Sequence, residues 1–148
     1  MTSEPIRMVD VSQKDVTHRK AEAFGRIILR PETLRAIREG RVEKGDPLTV
    51  AEVAAIQAVK RTSELIPLCH PIPITGIKLN FTLGEGHIDV RCRVKADYKT
   101  GVEMEALTGV ATALLTIWDM VKYLEKDEGG QYPHTRITDI RVVEKLKG

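Results

Sequence analysis

The sequence predicts an α+β fold, a ferredoxin-like βαββαβ sandwich with an extra helix on an antiparallel sheet. Residues 77–83 and 88–96 alternate apolar and polar side chains and are joined by a Gly-Glu-Gly turn, which is typical of a β-hairpin. Helical patterns precede and follow this hairpin, and a strand-like segment lies outside each of them. We therefore expect a single ferredoxin-like domain over residues 21–148, preceded by a flexible N-terminal arm over residues 1–20.

The first elements are a strand and two helices. Residues 21–29 are β-branched and aromatic enough for a strand, and Pro31 then begins a short helix that Gly40 ends. For the second helix we expect Thr49 as the N-cap, with Glu52 completing a capping box. The expected order is therefore strand, helix, helix and hairpin.

Residues 67–73 contain three prolines and are predicted to form a stiff, extended loop. Such a loop would present Cys69 and His70 on opposite sides, because successive side chains of an extended chain alternate. Rigidity without regular structure is common in binding loops, so His70 is either a hydrogen-bonding group of a ligand pocket or a structural residue. A nucleophilic pair with Cys69 is disfavoured, since the two side chains would point apart.

A long helix follows the hairpin and comes before a last strand over residues 138–146. No charged residue occurs from Ala106 to Trp118, which predicts burial on nearly every side. Glu105 and Asp119 are 14 residues apart, which places them about 40° apart around the helix but about 21 Å apart along it. One helix cannot bring both to a single reacting atom. If both bind a small ligand, we expect a site shared by two subunits.

Charged side chains at the two ends of this helix are the candidates for chemistry. Asp119 and Lys122 lie three residues apart on one face, which suits general acid–base catalysis or a solvated last turn. Glu103 and Glu105 fall in the first turn, where the helix dipole favours carboxylates. Carboxylates also match the N–H and NH₂ donors of a purine-like ring.

Composition restricts the partners. A net charge of +2, from 23 basic and 21 acidic residues, is far from that of a typical nucleic-acid binder. Local clusters of cations on such a chain suit a small anion, for example a phosphate ester. Cys69 and Cys92 are too far apart for a metal knuckle, and the histidines show no zinc spacing. We expect a reduced cytoplasmic protein with no membrane-spanning run, no nucleic-acid partner and no metal.

Six motifs are specific enough to indicate a family. They are Met-Val-Asp-Val-Ser at 8–12, Lys-Gly-Asp at 44–46, Gln-Ala-Val-Lys-Arg-Thr at 57–62, Leu-Ile-Pro-Leu-Cys-His-Pro at 65–71, Lys-Thr-Gly-Val-Glu-Met-Glu-Ala-Leu-Thr at 99–108 and Leu-Thr-Ile-Trp-Asp-Met at 115–120. Together they strongly resemble the MoaC family, the cyclic pyranopterin monophosphate synthases of molybdenum cofactor biosynthesis. The resemblance covers about residues 8–145.

The resemblance implies a phosphorus–oxygen lyase that needs no cofactor. It would convert (8S)-3′,8-cyclo-7,8-dihydroguanosine 5′-triphosphate to cyclic pyranopterin monophosphate plus diphosphate. The family's catalytic positions correspond to Asp119, Lys122, Lys44 and Lys60. Its substrate-binding motifs fall on Leu68, Cys69, His70, Met104 and Glu105, next to which we predict Glu103 as a further substrate-binding carboxylate. The family also implies a homo-oligomer, a hexamer built from dimers with inter-subunit sites.

A ferredoxin-like binding module, for example one that recognises RNA, is the alternative function. It would need exposed aromatic residues on the central strands for base stacking. Phe81 lies on the apolar side of its strand, and we expect the opposite face of the sheet to carry no aromatic residue. The segment 129–134 looks longer than in the family and is assigned no role.

Overall fold

Four strands and four helices follow one another in the computed structural model, which describes residues 5–148. They are β1 (Thr17–Ile28), α1 (Pro31–Arg38), α2 (Pro47–Lys60), α3 (Thr62–Leu65), β2 (Ile74–Leu83), β3 (His87–Tyr98), α4 (Glu103–Glu125) and β4 (Arg136–Lys147). The strands form one sheet in the order β2-β3-β1-β4, with every neighbouring pair antiparallel. The predicted ferredoxin-like α+β fold is thus confirmed.

The first strand begins earlier than expected. β1 starts at Thr17, which pairs with Tyr98 of β3, so residues 17–20 belong to the sheet and not to an arm. Pairing with β3 determines where β1 begins, because β3 is also 12 residues long and pairs with β1 along its whole length. Residues 1–4 of the expected arm lie outside the described residues. Within residues 5–16, Val11 is buried.

The two faces of the sheet differ as the period-two pattern predicts. Ile88, Val90, Cys92 and the following alternate residues of β3 are fully buried under the helices. The opposite face carries charged side chains in ion pairs, in which Glu22 accepts from Arg91 at 3.1 Å and from Arg93 at 2.9 Å. No helix within residues 5–148 covers this face.

Phe24 lies on the open face of the sheet, where we expected no aromatic residue. It pairs in register with Arg91, and its ring centroid lies 5.1 Å from the Arg91 guanidinium carbon and 4.4 Å from that of Arg141. The side chain is only 6% exposed. The expectation that this face carries no aromatic residue was therefore wrong. The two guanidinium groups nevertheless cover the ring and leave no free surface for base stacking.

Helix α2 begins at Pro47 and not after Thr49. Its N-cap is Asp46, whose Oδ1 accepts from the backbone N–H of Leu48 at 3.0 Å, and Thr49 donates its hydroxyl to Asp46 Oδ2 at 2.7 Å. The predicted Thr49 cap was wrong because proline at the first helical position has no N–H to lose and a backbone φ already set for a helix. This start places Lys44 three residues before the helix.

Helix α4 packs against α2 and the core face of the sheet. A methyl group at Gly109 would come within 2.7 Å of Cys92 Sγ and 2.8 Å of Val59 Cγ2, so the glycine permits this close packing. For residues 106–118, the expectation of burial on nearly every side was wrong at Leu115, which is 61% exposed. Met104, before this stretch, is 37% exposed. No other element within residues 5–148 covers these two side chains.

The length and composition of α4 would allow it to cross a membrane, contrary to the expectation that no run of the chain would do so. Half of its most apolar stretch is buried inside the fold, however. The core helix of a globular domain has this composition for the same reason, since both environments exclude water. Packing against the sheet and α2 accounts for the apolar character of α4.

Candidate active site

Three charged side chains meet at the C-terminal end of α4. Lys122 Nζ lies 3.2 Å from Asp119 Oδ1, as expected for residues three apart on one helix face. Lys44, from the loop between α1 and α2, places its Nζ 3.4 Å from Asp119 Oδ2 and 3.3 Å from the Asp119 carbonyl oxygen. All but one of the predicted catalytic residues are therefore in contact.

The two lysines determine the ionisation of Asp119. The hydrogen bond from Lys122 and the positive charge of Lys44 hold the pKa of the Asp119 carboxyl below its ordinary value. The Asp119 side chain is 59% exposed, so the carboxylate and both ammonium groups are accessible from solvent. A carboxylate can accept a proton, and ammonium groups can donate one or bind phosphate oxygens.

Lys60, the remaining predicted catalytic residue, lies apart from this cluster. It is the last residue of α2 and is exposed, whereas Lys44 lies three residues before the start of that helix. A helix of 14 residues is about 20 Å long. Val59, its neighbour, packs against Gly109 in the first half of α4. Within one chain, Lys60 is thus at the end of α2 far from Asp119.

A cavity of about 340 Å³ lies at the N-terminal end of α4. Its volume is in the range that holds a small organic ligand. All of the predicted substrate-binding residues line it, together with residues of the N-terminal segment. The lining residues are Arg7, Val9, Val11, Lys14, Leu68, Cys69, His70, Ile72, Thr100, Gly101, Glu103, Met104 and Glu105.

Glu105 is the most unusual of these residues. It is 2% exposed, and its Oε1 has no hydrogen-bond partner within residues 5–148. Burial raises the pKa of the Glu105 carboxyl to about 7. Near neutral pH this carboxyl is therefore divided between its acid and its anion and can donate or accept. A buried polar atom without a partner is costly, and a bound ligand would supply the missing partner.

Glu103, two residues earlier, also contributes a buried oxygen to the cavity. Its Oε2 has no hydrogen-bond partner within the described part of the chain, while its Oε1 lies 3.4 Å from Lys145 Nζ of β4. Two carboxyl groups of one helical turn therefore face the cavity with unpaired oxygens. This pair fits donor groups of a ligand such as an amino-substituted ring.

Cys69 and His70 both line the cavity, so the expectation of opposite sides was wrong. The chain turns here, because the Cys69 backbone N–H donates to the Ile66 carbonyl at 3.0 Å. Burial, with Glu105 and Glu103 adding to it, raises the pKa of the Cys69 thiol and keeps it protonated. His70 Nε2 lies 2.6 Å from the Val9 carbonyl oxygen. Residues 5–148 contain no cluster of three or more His, Cys, Asp or Glu side chains that could hold a metal ion.

The lining residues from the N-terminal segment were not expected at the site. Arg7 and Lys14 bring two positive charges to the cavity, and Val9 and Val11 form part of its wall. The Met-Val-Asp-Val-Ser motif at 8–12 could have indicated that this segment reaches the site, but it indicated only the family. Its contact with the cavity depends on the fold, because His70, its partner, is 61 residues away.

The cavity and the cluster of Asp119, Lys44 and Lys122 lie at opposite ends of α4. Glu105 stands in the first turn of α4 and Asp119 near its end, about 21 Å away for 14 residues of α-helix. The candidates for proton transfer therefore lie in two places. Glu105 lines the cavity, and Asp119 lies with Lys122 and Lys44 at the other end of the helix. Within a single chain, no one reacting atom of a ligand can contact both places.

A ferredoxin-like α+β domain with a ligand-sized cavity and an acid–base cluster belongs to the class of proteins that act on small molecules. Its covered Phe24 ring and near-neutral charge separate it from base-stacking RNA binders. The chain belongs to the MoaC family, whose model matches residues 8–148.

Three archaeal relatives bear the name "Probable cyclic pyranopterin monophosphate synthase". The protein of Pyrococcus abyssi is 65% identical over 142 residues, which cover 96% of this chain and 89% of the relative. That of Pyrococcus horikoshii is 63% identical with the same coverage. That of Thermococcus kodakarensis is 62% identical over 143 residues, 97% of this chain and 92% of the relative.

Proposed function

We propose that the chain is a cyclic pyranopterin monophosphate synthase of molybdenum cofactor biosynthesis. Its substrate would be (8S)-3′,8-cyclo-7,8-dihydroguanosine 5′-triphosphate, and its products cyclic pyranopterin monophosphate and diphosphate. The observation that carries the proposal is the contact of Asp119 with two ammonium groups, in a chain that belongs to the MoaC family. No external oxidant or reductant enters this conversion.

Asp119, Lys44 and Lys122 carry the proton transfers. Rearranging the guanine ring system moves protons between nitrogen and oxygen atoms, and the ionised Asp119 is the acceptor for such steps. The hydroxyl that closes the cyclic phosphate also loses a proton, while the diphosphate leaves with the electrons of the broken P–O bond. Ammonium groups stabilise the negative charge that develops on phosphate oxygens in this step.

The cavity at the start of α4 binds the substrate. The unpaired oxygens of Glu103 and Glu105 accept from the N–H and NH₂ groups of the guanine-derived ring. Arg7 and Lys14 bring positive charge to the same cavity and suit its phosphates. Lys60 completes the cationic set in our proposal, on the strength of the family motif in which it stands.

The working form is a homo-oligomer in which two chains share each site. Separation of Glu105 from Asp119 by about 21 Å supports this arrangement, since each chain then supplies one half of the site. Thr112 is midway between them, so an antiparallel two-fold pairing of α4 around Thr112 would bring Glu105 level with Asp119 of the partner. Exposed apolar side chains on α4 and α2 fit burial against a second copy. They include Met104, Leu115, Val50 and Val53.

Three such dimers would make the hexamer expected from the family. We place this enzyme in the cytoplasm, where its two free cysteines would remain reduced. The chemistry of a single site depends on one pair of chains, and it requires neither the hexamer nor a cytoplasmic location.

Turnover of the cyclised nucleotide tests the proposed function. The purified protein should release diphosphate and cyclic pyranopterin monophosphate in equal amounts, and Asp119→Asn should lower the rate of both by at least about a hundredfold without changing the oligomer. Absence of product from the unaltered protein would contradict the proposal. Salt-sensitive RNA binding in its place would favour the alternative function.

A further inference from the structure

Tyr123 connects α4 to the loop that carries Lys44. Its hydroxyl oxygen accepts a hydrogen bond of 2.8 Å from the backbone N–H of Glu43, which is 80 positions away in the sequence. Glu43 immediately precedes Lys44. Tyr123 does not line the cavity at the start of α4 and lies outside the six family motifs. Its role has to come from this contact.

On the N-terminal side of Lys44, Val42 is buried in the core, and the bond between Glu43 and Tyr123 adds a restraint next to the lysine. After Lys44, Gly45 adopts a backbone φ of 113° and donates its N–H to the Val42 carbonyl at 3.1 Å. Asp46 then caps α2. The Glu43 N–H points to α4, so its bond to Tyr123 joins the turn to the helix that carries Asp119.

Tyr123 and Asp119 are four residues apart and therefore neighbours on one face of α4. The loop meets this face twice, through the Glu43 N–H at Tyr123 and through the Lys44 ammonium at Asp119. A lysine side chain loses considerable rotamer freedom when its ammonium is held in one place. A backbone fixed at the preceding residue reduces the remaining freedom, so that Lys44 can reach Asp119 at a lower entropic cost.

We propose that Tyr123 is a positioning residue, whose hydroxyl holds the backbone at Glu43 and thereby keeps the Lys44 ammonium beside Asp119. In this role Tyr123 acts through Lys44 and not through contact with substrate. Its effect on turnover rests on the proposed function, whereas its effect on the geometry of Lys44 does not. The charged groups that face Asp119 are Lys44 from the loop and Lys122 from α4.

Tyr123→Phe removes only the hydroxyl and is the direct test. Amide hydrogen exchange at Glu43 should become faster, because its N–H loses the acceptor. The pKa of Asp119, followed by NMR of the ¹³C-labelled carboxyl and assigned with Asp119→Asn, should rise toward its ordinary value as Lys44 moves away. We expect kcat to fall about two- to tenfold, the worth of one hydrogen bond, with KM changed less than about twofold.

A double-mutant cycle with Lys44→Ala separates positioning from general stability. In the Lys44→Ala background, Tyr123→Phe should change neither kcat nor the pKa of Asp119 any further. Tyr132→Phe is the matched control, since it removes the hydroxyl of a tyrosine whose ring packs on Trp118 and does not bond to Glu43. It should leave Glu43 exchange and the pKa of Asp119 as they are.

Two results would overturn the inference. One is an unchanged Glu43 exchange rate and Asp119 pKa in Tyr123→Phe, and the other is the same pKa shift whether or not Lys44 is present. Both measurements are made without substrate. A protein that fails to turn over the cyclised nucleotide but shows the expected shifts would disprove the proposed function and leave the role of Tyr123 intact.

Discussion

Lys44 Nζ and Asp119 Oδ2 are 3.4 Å apart, although 75 positions separate the two residues in the sequence. The loop before α2 supplies the lysine and the end of α4 supplies the carboxylate. With Lys122 on the other carboxylate oxygen, the base is held between two proton donors. Changes at Asp119 and Lys122 should therefore affect turnover directly.

Asp119→Asn should lower kcat by about 10²- to 10⁴-fold, the usual contribution of a general acid or base. Asparagine keeps the shape of the side chain but cannot take up a proton. Because the residue is exposed, folding and assembly should be unchanged in circular dichroism and size-exclusion chromatography. Glu128→Gln, an exposed carboxyl beyond the end of α4, is the control and should retain full turnover. Comparable rates for Asp119→Asn and the unaltered protein would remove Asp119 from the mechanism.

Lys122→Ala should reduce product formation and also raise the pKa of Asp119, because the hydrogen bond from Lys122 is the main cause of its lowering. Lys126→Ala removes a lysine one turn further on, at the C-cap of α4, and should change kcat less than about twofold. Steady-state kinetics and the carboxyl titration of Asp119 test both. Equal losses in the two variants would mean that charge at the helix end, and not Lys122, matters.

A shared site predicts complementation between inactive variants. Asp119→Asn and His70→Ala chains, each inactive alone, should regain activity when they are unfolded together and reassembled. In a mixed dimer one of the two sites has both residues intact. A random mixture should therefore reach about a quarter of the normal activity. If each chain held a whole site, no mixing ratio would restore turnover.

Glu105 should make the stability of the protein depend on pH. Its pKa of about 7 in the folded state lies above the ordinary 4.5, so the folded protein binds this proton more tightly than the unfolded chain does. The contribution to stability is fully present below about pH 4.5 and is lost as the pH rises through 7.

Glu105→Gln removes this titration. Between pH 4.5 and 8 the free energy of unfolding of the unaltered protein should fall, relative to that of the variant, by up to about 3 kcal/mol. Denaturant unfolding at one protein concentration measures the difference. Parallel pH profiles of the two proteins would show that Glu105 titrates normally.

Glu125 should be important for stability and not for chemistry. It is fully buried at the end of α4 and accepts from the hydroxyl groups of Thr33 and Thr135 and from the backbone N–H of Arg30 at 3.0 Å. Glu125→Ala would leave these donors without an acceptor and should cost about 3 kcal/mol of unfolding free energy. Glu128→Gln again serves as the exposed control, and a difference below about 0.5 kcal/mol between them would contradict this role.

Much of the site's composition could be predicted from the sequence, because the motifs of the family are local. Leu68, Cys69, His70 and the two glutamates of α4 were expected to bind substrate, and the fold gathers them around one cavity. Arg7 was not expected there, since nothing in its own segment indicates which loop it will meet. The contact of Tyr123 could not be predicted for the same reason, because its partner is a backbone N–H that has no sequence signature.

The sequence by itself determined the element types and the two faces of the sheet, since periods of two and of 3.6 residues are properties of neighbouring positions. It also determined the spacing of Glu105 and Asp119 along their helix. Only the tertiary structure decided that β1 begins at Thr17, that Phe24 lies between two arginines, and that Lys44 reaches Asp119. These features depend on contacts between distant segments. Such contacts form when the elements pack, and no local pattern encodes them.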